Sequence, residues 1–192
     1  MSFDIMIVGI GGQGTILTSN IIGRACVIEG IPVRGAETHG MAQRGGSVES
    51  QIRIGQIFGP LISPGNADLI LSFDLLETVR AAHWLKKEGE IFTSREFVVP
   101  TSVYMQDYPA PDEHMLLSML GEACYILLDT IKIAEEAGNV LTQNVVLLGA
   151  ASRKIPLSSE SLKQAIRETV PKKTVDLNLK AFDLGVEAGK NP

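Results

Sequence analysis

The chain opens on an unbroken apolar run, Ile5-Met6-Ile7-Val8, set between Asp4 and Gly9. A run of that length reads as a strand buried on both faces, the habit of a parallel sheet. From Gln13 to Glu29 the period lengthens. Ile16, Leu17, Ile21, Ala25 and Ile28 fall at spacings of three and four, which predicts a helix with those residues on its core face. Gly30 ends it and Ile31-Pro32-Val33 begins a second strand, so the first 35 residues read as a βαβ unit. Between Ser47 and Ile54 the alternation of Val48, Ser50, Ile52 and Ile54 with Glu49, Gln51 and Arg53 predicts a half-exposed strand at or near a sheet edge. After a loop from Phe58 to Asn66, Leu69 to Phe73 reads as another buried strand, with Asp74 at its C-terminal end as a helix cap. A helix from about Leu75 to Leu85 leads through a turn at Lys86-Lys87-Glu88-Gly89 into a strand around Ile91-Phe92.

The second half reads as mostly helical. From Met115 to Ala137, Leu116, Leu120, Cys124, Leu127, Ile131 and Ala134 line one face of a predicted long helix that Gly138 stops. Asn144 to Ser152 is a small-residue helix, with Gly149, Ala150 and Ala151 permitting close packing. Ser158 caps a helix carrying Leu162, Ala165, Ile166 and Thr169, closed by Pro171, and a last helix runs from about Asp176 to Glu187. No internal repeat, low-complexity tract or linker interrupts the pattern. One α/β domain with helical decoration is expected.

Composition narrows the function classes. The 192 residues carry 22 acidic and 17 basic side chains, a net charge of −5 and a pI near 5.2, with no Lys/Arg run. Nucleic-acid binding through phosphates needs clustered positive charge and is not expected. The N-terminus has neither the basic stretch nor the apolar run of a signal peptide, and no uninterrupted apolar stretch is long enough for a membrane span, so a soluble cytoplasmic protein is expected. Cys26 and Cys124 cannot build a disulfide framework and are too few to hold an iron–sulfur cluster.

Gly9-Ile10-Gly11-Gly12-Gln13-Gly14 fits G-x-G-x-x-G in the setting that gives the motif meaning, after a buried strand and opening a helix. Gly9 permits the tight turn, Gly11 and Gly12 allow a ligand or another chain to approach the backbone, and Gly14 lets helix and strand pack closely. The free N–H groups at the start of the helix then suit an anion or a carbonyl oxygen. Packing alone would explain the same glycines. A dinucleotide site also wants an acidic residue some 20 positions on, which Glu37 supplies. A stand-alone NAD(P)- or flavin-binding protein is therefore one reading, although no substrate domain is evident.

The stretch from Arg34 to Ser47 is richer. Gly35, Gly40, Gly45 and Gly46 surround Glu37, His39, Gln43 and Arg44, and the stretch follows the second strand, so it is expected as a loop at the same sheet rim as the first turn. His39 titrates near neutral pH in its ordinary state and is the candidate for a catalytic or proton-shuttling role; Arg44 can hold a carboxylate or phosphate by two parallel bonds. No Ser or Cys nucleophile is visibly paired with His39. The plainer reading makes the loop a docking surface. His83 and His114 read as surface or helix-flanking residues.

The two loops together resemble the 2-oxoacid:ferredoxin oxidoreductase superfamily, in its gamma subunit or domain, and most of all the beta subunit of its indolepyruvate branch. The resemblance is carried by Val8-Gly9-Ile10-Gly11-Gly12-Gln13-Gly14 and by Glu37-Thr38-His39-Gly40-Met41-Ala42-Gln43-Arg44-Gly45-Gly46-Ser47-Val48. It continues through Ala67 to Leu71, Leu85 to Gly89 and Asn144 to Ala150. It implies a single gamma-type domain over residues 1–192, a three-layer, mostly parallel Rossmann-like sheet with helices on both faces and extra C-terminal helices. It implies a subunit, silent alone, of an enzyme that decarboxylates aryl pyruvates oxidatively with coenzyme A, giving aryl-acetyl-CoA, carbon dioxide and reduced ferredoxin. Thiamine diphosphate and iron–sulfur clusters are then expected on a larger alpha subunit, none on this chain, with coenzyme A possible at a shared site. The gamma subunit of another 2-oxoacid oxidoreductase is the neighbouring alternative, and the free subunit is a candidate homodimer. The residues expected to face ligand or partner are Gly9, Gly11, Gly12, Gln13, Gly14, Glu37, His39, Gly40, Gln43, Arg44, Gly45, Gly46 and Ser47, with no metal ligand among them.

Overall fold

Ile5 to Val8 are buried as their pattern requires and form the middle of β1 (Ser2–Ile10), near the centre of a six-stranded sheet. The computed structural model describes residues 2–39, 46–105 and 109–190. The glycine turn leads into α1 (Thr15–Ile28), followed by β2 (Val33–His39), β3 (Ser47–Gly55) and β4 (Ala67–Ser72). Next come α2 (Leu75–Ala81), β5 (Leu85–Ser94), α3 (Thr101–Met105), α4 (Glu113–Met119) and β6 (Cys124–Leu128). Four helices close the chain: α5 (Thr130–Ala137), α6 (Gln143–Ala151), α7 (Ser159–Thr169) and α8 (Val175–Ala188). The strand order is β2-β3-β1-β4-β5-β6. Only β3 runs against its neighbours; β1, β4, β5 and β6 pair in parallel. The mostly parallel α/β sheet expected from the sequence is the one observed.

Because adjacent side chains of a strand point to opposite faces, the apolar run feeds two cores at once. Ile5 and Ile7, with Leu69, Leu71 and Phe92, pack beneath α1, α6, α7 and α8. Met6 and Val8, with Ile70 and Ile91, meet Ile62, Ala81 and Leu120 on the face covered by α2 and α4. The first layer is the thicker. There α6 and α8 cross backbone to backbone, since a Cβ on Gly149 or Gly185 would overlap the carbonyl oxygen of Phe182 or Val146. The small-residue run from Asn144 is thus the signature of a helix crossing.

Several expectations are corrected. The βαβ unit is interrupted: β2 runs in the same direction as β1, but β3 lies between them, antiparallel to both. Residues Arg34 to His39, expected as loop, belong to β2, an edge strand whose exposed face carries the polar residues that disguised it. On β3, Val48, Ser50, Ile52 and Ile54 are buried as expected, and so is Gln51, whose Oε1 accepts from the Ile62 N–H at 2.7 Å. The core face of α1 is Thr15, Thr18, Ser19, Ile21, Ile22, Ala25 and Cys26, while Ile16 is exposed. Small polar residues occupy the first turn because it abuts the glycine turn. The charged Lys86–Gly89 stretch is a bulge within β5: Ala67 pairs with Leu85, but Leu69 pairs with Glu90. The long helix from Met115 does not exist. After α4, Gly121 adopts φ +59°, and Cys124–Leu128 pairs with β5 as an edge strand before α5 begins. A five-residue apolar strand at an edge cannot be told from helix by period alone; the pairing with β5 decides it.

Among the described residues no helix is long and apolar enough to cross a membrane.

Candidate functional site

The C-terminal ends of β1, β2, β4 and β5 form one rim of the sheet, and the glycine-rich loops gather there. Ile10 pairs with Ser47 and His39 with Val48, so the β2–β3 connection stands beside the turn after β1. Gly11 N–H donates to the Gly46 carbonyl oxygen at 2.9 Å, a direct bond between the two loops. The expected meeting of both loops at one rim is what the fold provides. Of the expected site residues, the side chain of His39 and residues Gly40, Gln43, Arg44 and Gly45 lie outside the described residues.

The turn itself is locally determined. Gly12 and Gly14 hold φ of +104° and +91°, a region that L side chains avoid. Gly14 is the N-cap of α1 and has no side chain to cap it, and no side chain among the described residues does so, which leaves its first N–H groups to other partners. Gly14 packs closely, but against a different partner from the one expected: a Cβ there would lie 2.7 Å from Asn144 Nδ2 at the start of α6. Gln13 turns inward, its Oε1 accepting from the Ile10 N–H at 2.8 Å. Beneath the turn, Thr15 Oγ1 and Asn144 Nδ2 are buried and without a hydrogen-bond partner among the described residues. Neither was legible as a site residue, although an Asn leading the apolar stretch Val145–Leu148 is a signal of a buried polar function.

On the other side of the turn, Ser47 Oγ donates to Glu77 Oε2 at 2.6 Å, and Arg80 reaches Glu77 Oε1 at 2.5 Å. Asp74 is the helix cap that the sequence suggested, accepting from the N–H groups of Leu76, Glu77 and Val98. Burial raises its pKa above the ordinary value, against the lowering effect of those bonds. The role of Asp74 is thus structural.

Glu37 takes the Ser19 hydroxyl at 3.1 Å and lines a groove of about 600 Å³ between α1 and the β2–β3 pair. In the dinucleotide fold the acidic residue follows a strand adjacent to β1. Here β3 separates them, placing β2 two inter-strand spacings from β1, roughly 10 Å. The geometry speaks against the dinucleotide reading. His83 bonds the Arg80 carbonyl oxygen and His114 is exposed on α4, so both are surface residues. Cys26 is in the core, where burial and the nearby Glu29 charge push its thiol up to about 11; Cys124 is exposed on β6. No group of three metal-binding side chains occurs among the described residues, and two cysteines so placed do not fit a cluster.

Residues 4–188 match the pyruvate ferredoxin/flavodoxin oxidoreductase family. The chain belongs to that family. The indolepyruvate oxidoreductase subunit IorB of Thermococcus kodakarensis is 42% identical, over 98% of this chain and 96% of the relative. Among solved structures, the gamma subunit of a keto/oxoacid ferredoxin oxidoreductase from Geobacter sulfurreducens superposes with a TM-score of 0.73 at 25% identity, covering 99% of both chains. The 2-oxoglutarate:ferredoxin oxidoreductase of Magnetococcus marinus, solved with 2-oxoglutarate, coenzyme A and succinyl-CoA, contains the same fold at a TM-score of 0.76 and 24% identity. All of this chain corresponds to 31% of that one. Members of the oxidoreductase family therefore carry this fold both as a separate subunit and as part of a longer polypeptide.

Proposed function

We propose that this chain is the smaller subunit of an indolepyruvate:ferredoxin oxidoreductase and acts only when joined to a larger, cofactor-bearing partner. The observation that carries the reading is the 42% identity to an indolepyruvate oxidoreductase subunit along nearly the whole of both chains, well above the 25% to a general oxoacid gamma subunit. The reaction takes an aryl pyruvate and coenzyme A to the aryl-acetyl thioester, carbon dioxide, a proton and two electrons, the electrons passing to ferredoxin. When present on the larger subunit, thiamine diphosphate supplies the decarboxylation chemistry and iron–sulfur clusters the electron path.

This chain's own contribution is the rim. Gly11, Gly12, Gln13 and Gly14 of the first loop, with Glu37, His39, Gln43 and Arg44 of the second, face coenzyme A and the partner. The N-terminus of α1 and the guanidinium of Arg44 supply donors and positive charge suited to the phosphates of coenzyme A.

The test is reconstitution. Arylpyruvate- and coenzyme A-dependent dye reduction is expected from the two subunits together and from neither alone; turnover by this chain unaided overturns the proposal. Within the complex, His39→Ala and Arg44→Ala are expected to leave assembly intact while raising the KM for coenzyme A or lowering turnover. If both parameters survive, the second loop is a docking surface only. A preference for pyruvate or 2-oxoglutarate over aryl pyruvates would move the chain to a sister branch.

A further inference from the structure

The glycine turn carries two polar atoms that the fold itself does not use. Thr15 and Asn144 are 3% and 1% exposed, and Thr15 Oγ1 and Asn144 Nδ2 are the buried side-chain atoms without a hydrogen-bond partner among the described residues. Such orphans are rare because water satisfied them before folding. Each lies against one end of the glycine turn. A Cβ at Gly9 would lie 3.2 Å from Thr15 Oγ1, and a Cβ at Gly14 2.7 Å from Asn144 Nδ2. The turn opens the 14-residue α1, whose N-terminus no side chain among the described residues caps. A hydroxyl, an amide and the first N–H groups of a helix are all donors. Their common complement is an acceptor oxygen, and the helix N-terminus favours one that carries negative charge.

Gln13 fills the arc. Its Oε1 lies 2.8 Å from the position of a Gly9 Cβ and takes the Ile10 N–H at 2.8 Å. That tethered carboxamide oxygen sits where a ligand oxygen would sit, yet it satisfies Ile10 alone. Gly12 has nothing among the described residues within 4 Å of a Cβ.

We propose that the turn binds a phosphoryl group and that Gln13 is its built-in plug. The incoming phosphate displaces the Gln13 carboxamide from the Ile10 N–H and takes the Thr15 hydroxyl and the Asn144 amide as additional donors. This rests on the reading that the rim accepts a phosphate-bearing cosubstrate, and adds which side chains grip it and which one guards the place.

The experiment is calorimetric titration of the full chain with inorganic pyrophosphate and with coenzyme A, alongside thermal unfolding of the ligand-free protein. Thr15→Val keeps the side-chain shape and removes the donor. It is expected to bind pyrophosphate about tenfold more weakly, with a ligand-free Tm equal to or above that of the wild type. Asn144→Ala is expected to weaken binding similarly. Gln13→Ala is expected to bind several-fold more tightly, since nothing need be displaced. Unchanged affinity in Thr15→Val, weakened affinity in Gln13→Ala, or no binding of pyrophosphate to the wild type each overturns the proposal. If pyrophosphate follows the expected pattern but coenzyme A neither binds nor competes, the phosphoryl site stands and the coenzyme A reading falls. If coenzyme A binds and is indifferent to Thr15→Val and to pyrophosphate, the converse holds.

Discussion

The Ser47 hydroxyl donates to the Glu77 carboxylate at 2.6 Å, so that the first residue of β3 is held by a helix on the far side of the glycine turn. Glu77 is buried and, among the described residues, has one other side-chain partner, the charged Arg80, itself half exposed. Hydrogen bonds to a buried charge contribute about 1.5–3 kcal/mol. Ser47→Ala is expected to lower unfolding free energy by about 1–2 kcal/mol. A double-mutant cycle with Glu77→Gln, read by urea unfolding, is expected to show clear coupling. Additive effects would mean that the bond is idle.

Two carboxylates are expected to respond to pH with opposite signs. Glu29, at the end of α1, accepts from the Ser161 hydroxyl and the Ser158 N–H, which hold its pKa below the ordinary 4.5. Its folded value lies under its unfolded one, so its contribution is full above 4.5 and disappears as the pH falls through the folded value. Asp74 moves the other way. Burial raises it from 3.8, so the folded state binds the proton first and the penalty of keeping it ionised lifts on acidification. In denaturation series across pH, Glu29→Gln is expected to be less stable than wild type at neutral pH and to converge with it below 4.5. The margin of wild type over Asp74→Asn is expected to widen as the pH drops toward 3.8. An asparagine side chain offers one acceptor oxygen, whereas Asp74 serves three N–H groups through both of its oxygens.

The crossing of α6 and α8 leaves no space for a methyl group at Gly149 or Gly185. Gly185→Ala is expected to cost about 1–3 kcal/mol, the usual penalty of overpacking, despite the better helix propensity of alanine. A lowered thermal midpoint checks it. Gly23→Ala, on the open face of α1 with nothing within 4 Å of a Cβ, is the control and is expected to stabilise.

The insertion of β3 between β1 and β2 predicts a ligand preference. With Glu37 displaced from the flank of β1, no ribose diol can reach it from a diphosphate seated on the turn. NAD and NADP are expected to compete with coenzyme A no more strongly than inorganic pyrophosphate does, since only their diphosphate can engage the turn. Micromolar NAD binding abolished by Gly11→Val would restore the dinucleotide reading.

The central strands were legible because their message is local. Ile5 to Val8 and Leu69 to Leu71 are apolar at every position, which only burial on both faces explains. Helix ends marked by Asp74, Gly138 and Ser158 were legible for the same reason, since a cap is a contact within a few residues of chain. The edge strands were not. In β2 the outward residues are polar, and in β6 the five apolar residues continue the period of the helix before them. Both are strands because a neighbour offers a ladder of backbone bonds, and that neighbour lies elsewhere in the sequence.

By itself the sequence determined the alternation of buried strands with helices, the glycine turn and the family, because periodicity, positive-φ glycines and a long unusual motif are properties of adjacent residues. Only the tertiary structure decided that β3 stands between β1 and β2, and that Asn144 comes to rest under Gly14 with its amide nitrogen unpartnered among the described residues. A donor left without its acceptor by the meeting of two segments so far apart in the chain has no local signature. It exists only once the layers have packed.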